Sequence, residues 1–165
     1  MGTNYYAKRI PSEEEIKKMQ AALDDRNWEK LQTLAEDATE QVHICKFSCG
    51  WQVNFDHNEG KYYRPSRASL EEFLSSPDIE IFDEYGKSIT PEAFWKSVDE
   101  HNANPRNSWV SKTYNRWEKL AHPEYTYYPP EAHQVEFCRS EFGVEPEDWD
   151  FEVDGLRFSV ATDFC

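Results

Sequence analysis

The sequence predicts an α+β fold: a single domain in which an antiparallel sheet built from hairpins carries about five packed helices. Three observations lead there. Short alternating segments bounded by Gly, Pro, Asn and Asp recur, as at Trp51 to Asp56 and Trp149 to Val160. Helical stretches with readable caps lie between them. Strands and helices alternate irregularly, and neither a glycine-rich phosphate loop nor a dinucleotide fingerprint appears, so a regular parallel sheet is not indicated. At 165 residues the chain is long enough for one core that buries about 70% of its unfolded surface.

Gly2 to Ile10, ended by Pro11, reads as an opening strand. Ser12 and Glu15 then form a capping box, followed by Ile16, Met19 and Leu23 at helical spacing. A second helix from about Asn27 puts Trp28, Leu31, Leu34, Ala35 and Ala38 on one face, so residues 12–41 form a helical hairpin inserted after the first strand. Lys61 to Tyr63 is expected to extend the sheet, and Ser69 with Glu72 to cap a short helix ending near Pro77. Ile79 to Ile89 reads as two short strands about a turn at Tyr85-Gly86. Thr90-Pro91 opens a helix with Phe94, Trp95 and Val98 toward the core. Ser108 to Ala121 is the next helix, with Lys112, Arg116 and Lys119 along one side. Glu131 to Phe142 is read as a helix closed by Gly143, with a strand at Val135 to Cys138 as the alternative. Residues 147–165 form an acidic closing hairpin turning at Asp154-Gly155.

Hydrophobic residues make up only 38% of the chain, but Phe, Trp and Tyr make up 15%, which assigns the core to large aromatic side chains. The net charge is −14, a balance that disfavours direct binding to nucleic acid or an anionic membrane and suits a basic or nucleic-acid-binding protein partner. The excess is uneven. Glu131 to Cys165 holds ten acidic residues against two basic ones, and Pro11 to Gln41 nine against four. The N-terminus reads as a strand rather than a leader and no apolar run reaches bilayer length, so a cytoplasmic protein with reduced thiols is expected.

Val42 to His57, V-H-I-C-K-F-S-C-G-W-Q-V-N-F-D-H, concentrates the reactive side chains. Trp51, Val53 and Phe55 alternate against Gln52, Asn54 and Asp56, and Ser48-Cys49-Gly50 supplies the reversal of a hairpin. His43, Lys46 and Ser48 could converge on a small anionic ligand, with lysine supplying charge, serine a donor and histidine a proton. Strand parity separates them, however: His43 and Cys45 fall on one face, Lys46 and Ser48 on the other, and a shared pocket needs twist or a bulge. Cys45 and Cys49 with His43 and His57 lack the spacing of a zinc knuckle, and Cys138 and Cys165 lie far along the chain, so buried thiols are the expectation and no metal or cofactor is assigned.

Three stretches together resemble a family of small phage and prophage proteins: G-T-N-Y-Y at Gly2 to Tyr6, H-I-x-K-x-S-x-G-W at His43 to Trp51, and D-E-Y-G at Asp83 to Gly86. The family motif is similar to H-I-G-K-S-S-x-G-W, from which Cys45 and Phe47 depart. Where many relatives carry a C-x-x-C knuckle, this chain has the cysteine-free helical hairpin. The resemblance implies an accessory protein that binds and blocks a host protein, without an established activity to transfer. The expected contact surface is the acidic hairpin, through Glu145, Glu147, Asp148, Asp150 and Glu152. The competing expectation is a small-ligand binder or enzyme whose concave site is lined by His43, Lys46, Ser48 and Trp51, joined by Tyr5, Tyr6 or Tyr85. No catalytic residue is assigned.

Overall fold

The computed structural model describes residues 2–126 and 128–161, and Cys165 lies outside them. The strands are β1 (Gly2–Arg9), β2 (Gln41–Ser48), β3 (Asn54–Asp56), β4 (Ile79–Asp83), β5 (Ser88–Ile89), β6 (Asp150–Val153) and β7 (Leu156–Ser159). The helices are α1 (Glu13–Asp24), α2 (Trp28–Ala38), α3 (Arg67–Leu74), α4 (Pro91–Ala103), α5 (Ser111–Ala121) and α6 (Ala132–Phe137). One sheet runs in the order β5-β4-β1-β2-β3-β7-β6, and among the described residues only its β3–β7 strand pair is parallel. The fold is therefore α+β as the sequence indicates, with six helices among the described residues.

Residues lined up across the strands explain the core. Tyr5, Cys45, Phe55, Phe158 and Phe151 form one cross-strand row on the inner face. Phe55 and Phe158 are fully buried with ring centroids 5.6 Å apart, and Phe158 stacks on Phe151 at 5.7 Å. Leu70 and Leu74 of α3 and Phe94, Trp95 and Val98 of α4 complete this cluster. Each buried aromatic or leucine contributes about 1.5–3 kcal/mol, so a chain poor in aliphatic residues still builds a core.

The caps follow the local chemistry. Ser12 and Glu15 form the capping box of α1, Asn27 accepts from Lys30 N at α2, and Thr90 accepts from Ala93 N at α4. At α3 the cap is Ser66, which accepts from Ser69 N, while the Ser69 hydroxyl accepts from Arg64 N; the expected Ser69–Glu72 box is not the one used. Lys61 to Tyr63 does not extend the sheet. Tyr63 instead turns inward and donates to Asp56 O at 2.8 Å. Asp154 and Gly155 both have positive φ, 54° and 74°, the conformation of a type I′ turn between β6 and β7, and the paired strands span 150–159. The 131–142 segment is helical: α6 continues as a π-turn over Cys138–Phe142 and ends on left-handed Gly143.

The α1–α2 hairpin packs mainly on itself. Ala22 and Ala38 are its buried residues, whereas Ile16, Leu23 and Trp28 remain substantially exposed. It is tied to the sheet by Arg9, whose guanidinium donates to both carboxylate oxygens of Glu15 at 2.8 Å. Among the described residues no helix is long and apolar enough to cross a membrane.

Candidate functional site

A β-bulge decides which side chains meet. Along the β1–β2 pairing Tyr5 stands opposite Cys45, but Tyr6 stands opposite His43, so Ile44 is the extra residue. Ile44 and Cys45 are both fully buried in consequence. Beyond the bulge the alternation is inverted: His43, Lys46 and Ser48 all lie on the outer face, away from Phe55 and Phe94. This corrects the strand-parity expectation. Independent contacts agree, because a Cβ added at Gly2 would lie 3.0 Å from Ser48 Oγ and 3.6 Å from Lys46 Cε, and the His43 ring lies 5.0 Å from Tyr6.

The outer face carries a polar row, Asn4, Lys46, Asn54, Arg157 and Glu152, one residue from each of five adjacent strands. Glu84 extends it, accepting from Asn4 Nδ2 at 3.1 Å. Over the middle of this row lies a cleft of about 200 Å³ lined by Lys46, Ser48, Gln52, Asn54, Arg157 and the indole of Trp51, with Ser111 at its rim. Its lining contains no carboxylate. Lys46 forms no ion pair among the described residues, and Asn54 Oδ1 is buried without a hydrogen-bond partner.

Trp51 reaches the cleft because its segment is not a strand. Trp51 N closes a turn onto Ser48 O at 3.1 Å, with Gly50 at φ 87° as that reversal requires. Trp109 N donates to Gly50 O and Gln52 N to Trp109 O, both at 3.0 Å, while Asn107 Oδ1 accepts from Gly50 N and Asn102 Oδ1 from Val53 N. The regular hairpin expected over Trp51 to Phe55 is thereby corrected: Val53 and Phe55 go inward, and Trp51 goes outward, 5.1 Å from the Tyr114 ring and under the Arg157 guanidinium at 5.5 Å.

The other expected residues are dispersed. Tyr6 shares the outer face with His43. Tyr5 belongs to the inner face, 4.9 Å from Phe47 and 5.5 Å from Phe94, where burial raises its phenol pKa. Tyr85 is 83% exposed at the β4–β5 turn and lines no part of the cleft. Burial lowers the His43 pKa, with Asp56 opposing that shift and Lys46 adding to it. Asn54 and Arg157, which sequence reasoning did not select, are visible in retrospect as the polar members of alternating strands.

The acidic segment is largely committed to internal pairs. Glu145 accepts from Arg139 at 2.7 and 2.8 Å, Glu147 pairs with Lys112, and Asp150 is buried against Arg157, Nε to Oδ2 at 2.9 Å. Asp148 takes a positive φ of 57° beside Trp149, and Glu152 is exposed. Asp150 is therefore not an accessible contact residue, a correction to the expected surface. Cys45 and Cys138 are buried, Cys49 is exposed, and among the described residues no cluster of His, Cys, Asp and Glu could hold a metal ion. Comparison with protein families, curated proteins and solved structures finds nothing that matches this chain.

Proposed function

We propose that the protein binds a small anion, a phosphate or carboxylate group, in the outer-face cleft. The observation that carries this reading is Lys46: a half-buried lysine without a carboxylate partner, set among the neutral side chains of Ser48, Gln52 and Asn54 beside Arg157, in a chain of net charge −14. A charge-assisted hydrogen bond is roughly twice as strong as a neutral one, and partial exclusion of water strengthens it further. No base is hydrogen-bonded to Ser48 Oγ among the described residues, so the reading is binding rather than turnover. The two strand segments that resemble small phage and prophage proteins build this face, which suits an accessory role in that setting. Calorimetric titration with inorganic phosphate and with citrate tests it. Binding by the wild type, lost in Lys46→Met and kept in Lys46→Arg, is expected; equal heats from wild type and Lys46→Met overturn it.

A second reading, inhibition of a host protein, is favoured by a different observation. The α1–α2 hairpin carries a charge of −5 over residues 11–41 and leaves Trp28 and Ile16 more than half exposed, a surface suited to a basic partner. Capture experiments that compare wild type with Trp28→Glu discriminate: a partner lost with the variant supports this reading, and an unchanged partner contradicts it.

A further inference from the structure

Helix α5 leaves much of its apolar side uncovered. None of its residues is buried, although it carries Tyr114, Trp117 and Leu120. It lies against the outer face at its N-terminal end and leaves its far side open, with Trp117 47% and Leu120 77% exposed. Beyond its C-terminus the chain folds back so that His122 and Tyr125 stack almost parallel, with centroids 4.6 Å apart and planes 11° from each other.

Between these residues is a hollow of about 240 Å³, walled by His122, Tyr125, Tyr128 and Trp149 with Asn115, Glu118 and Lys119 on its helix side. It is smaller than the roughly 300–1,000 Å³ of sites for drug-sized ligands, which limits it to a single ring system. Asn115 lines the hollow, but its Nδ2 is shut off from solvent and does not open into it. Across the ridge formed by Asn115 and Lys119 is a second hollow lined by Lys112, Arg116, Lys119 and Asp148. Lys112 is bridged to Glu147, and Glu118 of the same helix is occupied by the Tyr114 hydroxyl at 2.7 Å. Arg116 is left to meet an anion.

An aromatic wall and an adjacent guanidinium are the elements that read a flat heterocycle with an anionic tail. We infer that this region binds a nucleotide, its base against Tyr125 and Trp149 and its phosphate on Arg116 across the ridge. The ligand is either a free nucleoside monophosphate or one unit of a single strand, since both present the same ring and phosphate. The inference is independent of the Lys46 cleft.

Tryptophan fluorescence of the full chain, titrated with AMP, UMP, ribose 5-phosphate and a short oligouridine, tests it. Saturable quenching by a nucleotide or the oligomer is expected, with ribose 5-phosphate at least about tenfold weaker, because stacking carries most of the affinity. Preference for AMP or UMP identifies a free nucleotide, and preference for the oligomer a strand. Tyr125→Ala, at an exposed position that leaves folding intact, should weaken binding by about tenfold, and Arg116→Ala should weaken it while flattening its salt dependence. Absence of quenching by every nucleotide probe overturns the inference. So does binding that survives Tyr125→Ala but is lost in Lys46→Met, which would place the ligand in the other cleft.

Discussion

Asp150 and Arg157 face each other across the last two strands with Nε and Oδ2 2.9 Å apart and both side chains almost out of solvent. The contact is one of charge with charge, since Nε itself makes no directed hydrogen bond and Nη1 donates instead to Trp109 O at 3.0 Å. Asp150 Oδ2 also accepts from Ser111 Oγ at 2.7 Å and Ser111 N at 3.3 Å, which places a carboxylate at the first turn of α5, whose preceding residue Val110 supplies no side-chain cap. A negative charge there complements the helix dipole. One buried carboxylate thus holds the Arg157 wall of the cleft and docks α5 beside it.

Removing that carboxylate should therefore be expensive. Asp150→Ala leaves a buried guanidinium uncompensated and is expected to cost about 3–5 kcal/mol, read as a lowered urea midpoint at constant slope. Glu152→Gln, exposed on the same strand, should stay within about 0.5 kcal/mol of wild type. If the two variants were equally mild, Asp150 would be a surface residue after all.

Much of this was legible in the sequence, for reasons that are local. The Ser12 and Thr90 caps, the Asp154-Gly155 turn and the inward faces of α4 and the closing hairpin depend on residues a few positions apart. The arrangement of the site is not local. Nothing in V-H-I-C-K-F-S announces that Ile44 will be inserted against β1, yet that insertion reverses the parity of every later side chain in β2. Trp51 likewise faces outward because Trp109, Asn107 and Asn102, some fifty residues on, hold its backbone. Ile16, Leu23 and Trp28 keep helical spacing but meet no core, because periodicity marks a face and not its partner.

The tie between β1 and α1 should respond to acid. Hydrogen bonds from Arg9 and then from Ser12 hold the Glu15 carboxyl at about 2, far below its ordinary value. The folded state binds this proton less readily than the unfolded chain, so the contribution is full above the ordinary glutamate range, about 4.3, and is lost as pH falls toward 2. The difference in thermal midpoint between wild type and Glu15→Gln should be constant above about pH 5 and narrow steadily below it. A difference independent of pH would mean that Glu15 acts only through its neutral hydrogen-bonding shape.

His43 should give the opposite chemistry with the same sign. Burial lowers its pKa, so between that value and the ordinary one near 6.5 the unfolded chain is the more protonated. Its neutral form contributes fully above about pH 6.5, and stability falls as acid is added through that window. Urea midpoints followed from pH 7.5 to 5 should drop more steeply for wild type than for His43→Gln. Parallel curves would show that His43 titrates freely with water and is not confined against Tyr6.

In the proposed anion site the Ile44 bulge sets Lys46 and Ser48 on the face shared with Asn54 and Arg157. The most direct measurement is a phosphate titration followed by two-dimensional amide and side-chain NMR on the intact protein. Anion binding in the cleft predicts saturable shifts confined to Lys46, Ser48, Gln52, the Asn54 side-chain amide and Arg157, absent in Lys46→Met. Spectra unchanged at tens of millimolar phosphate, or shifts scattered over the surface without saturation, would contradict it.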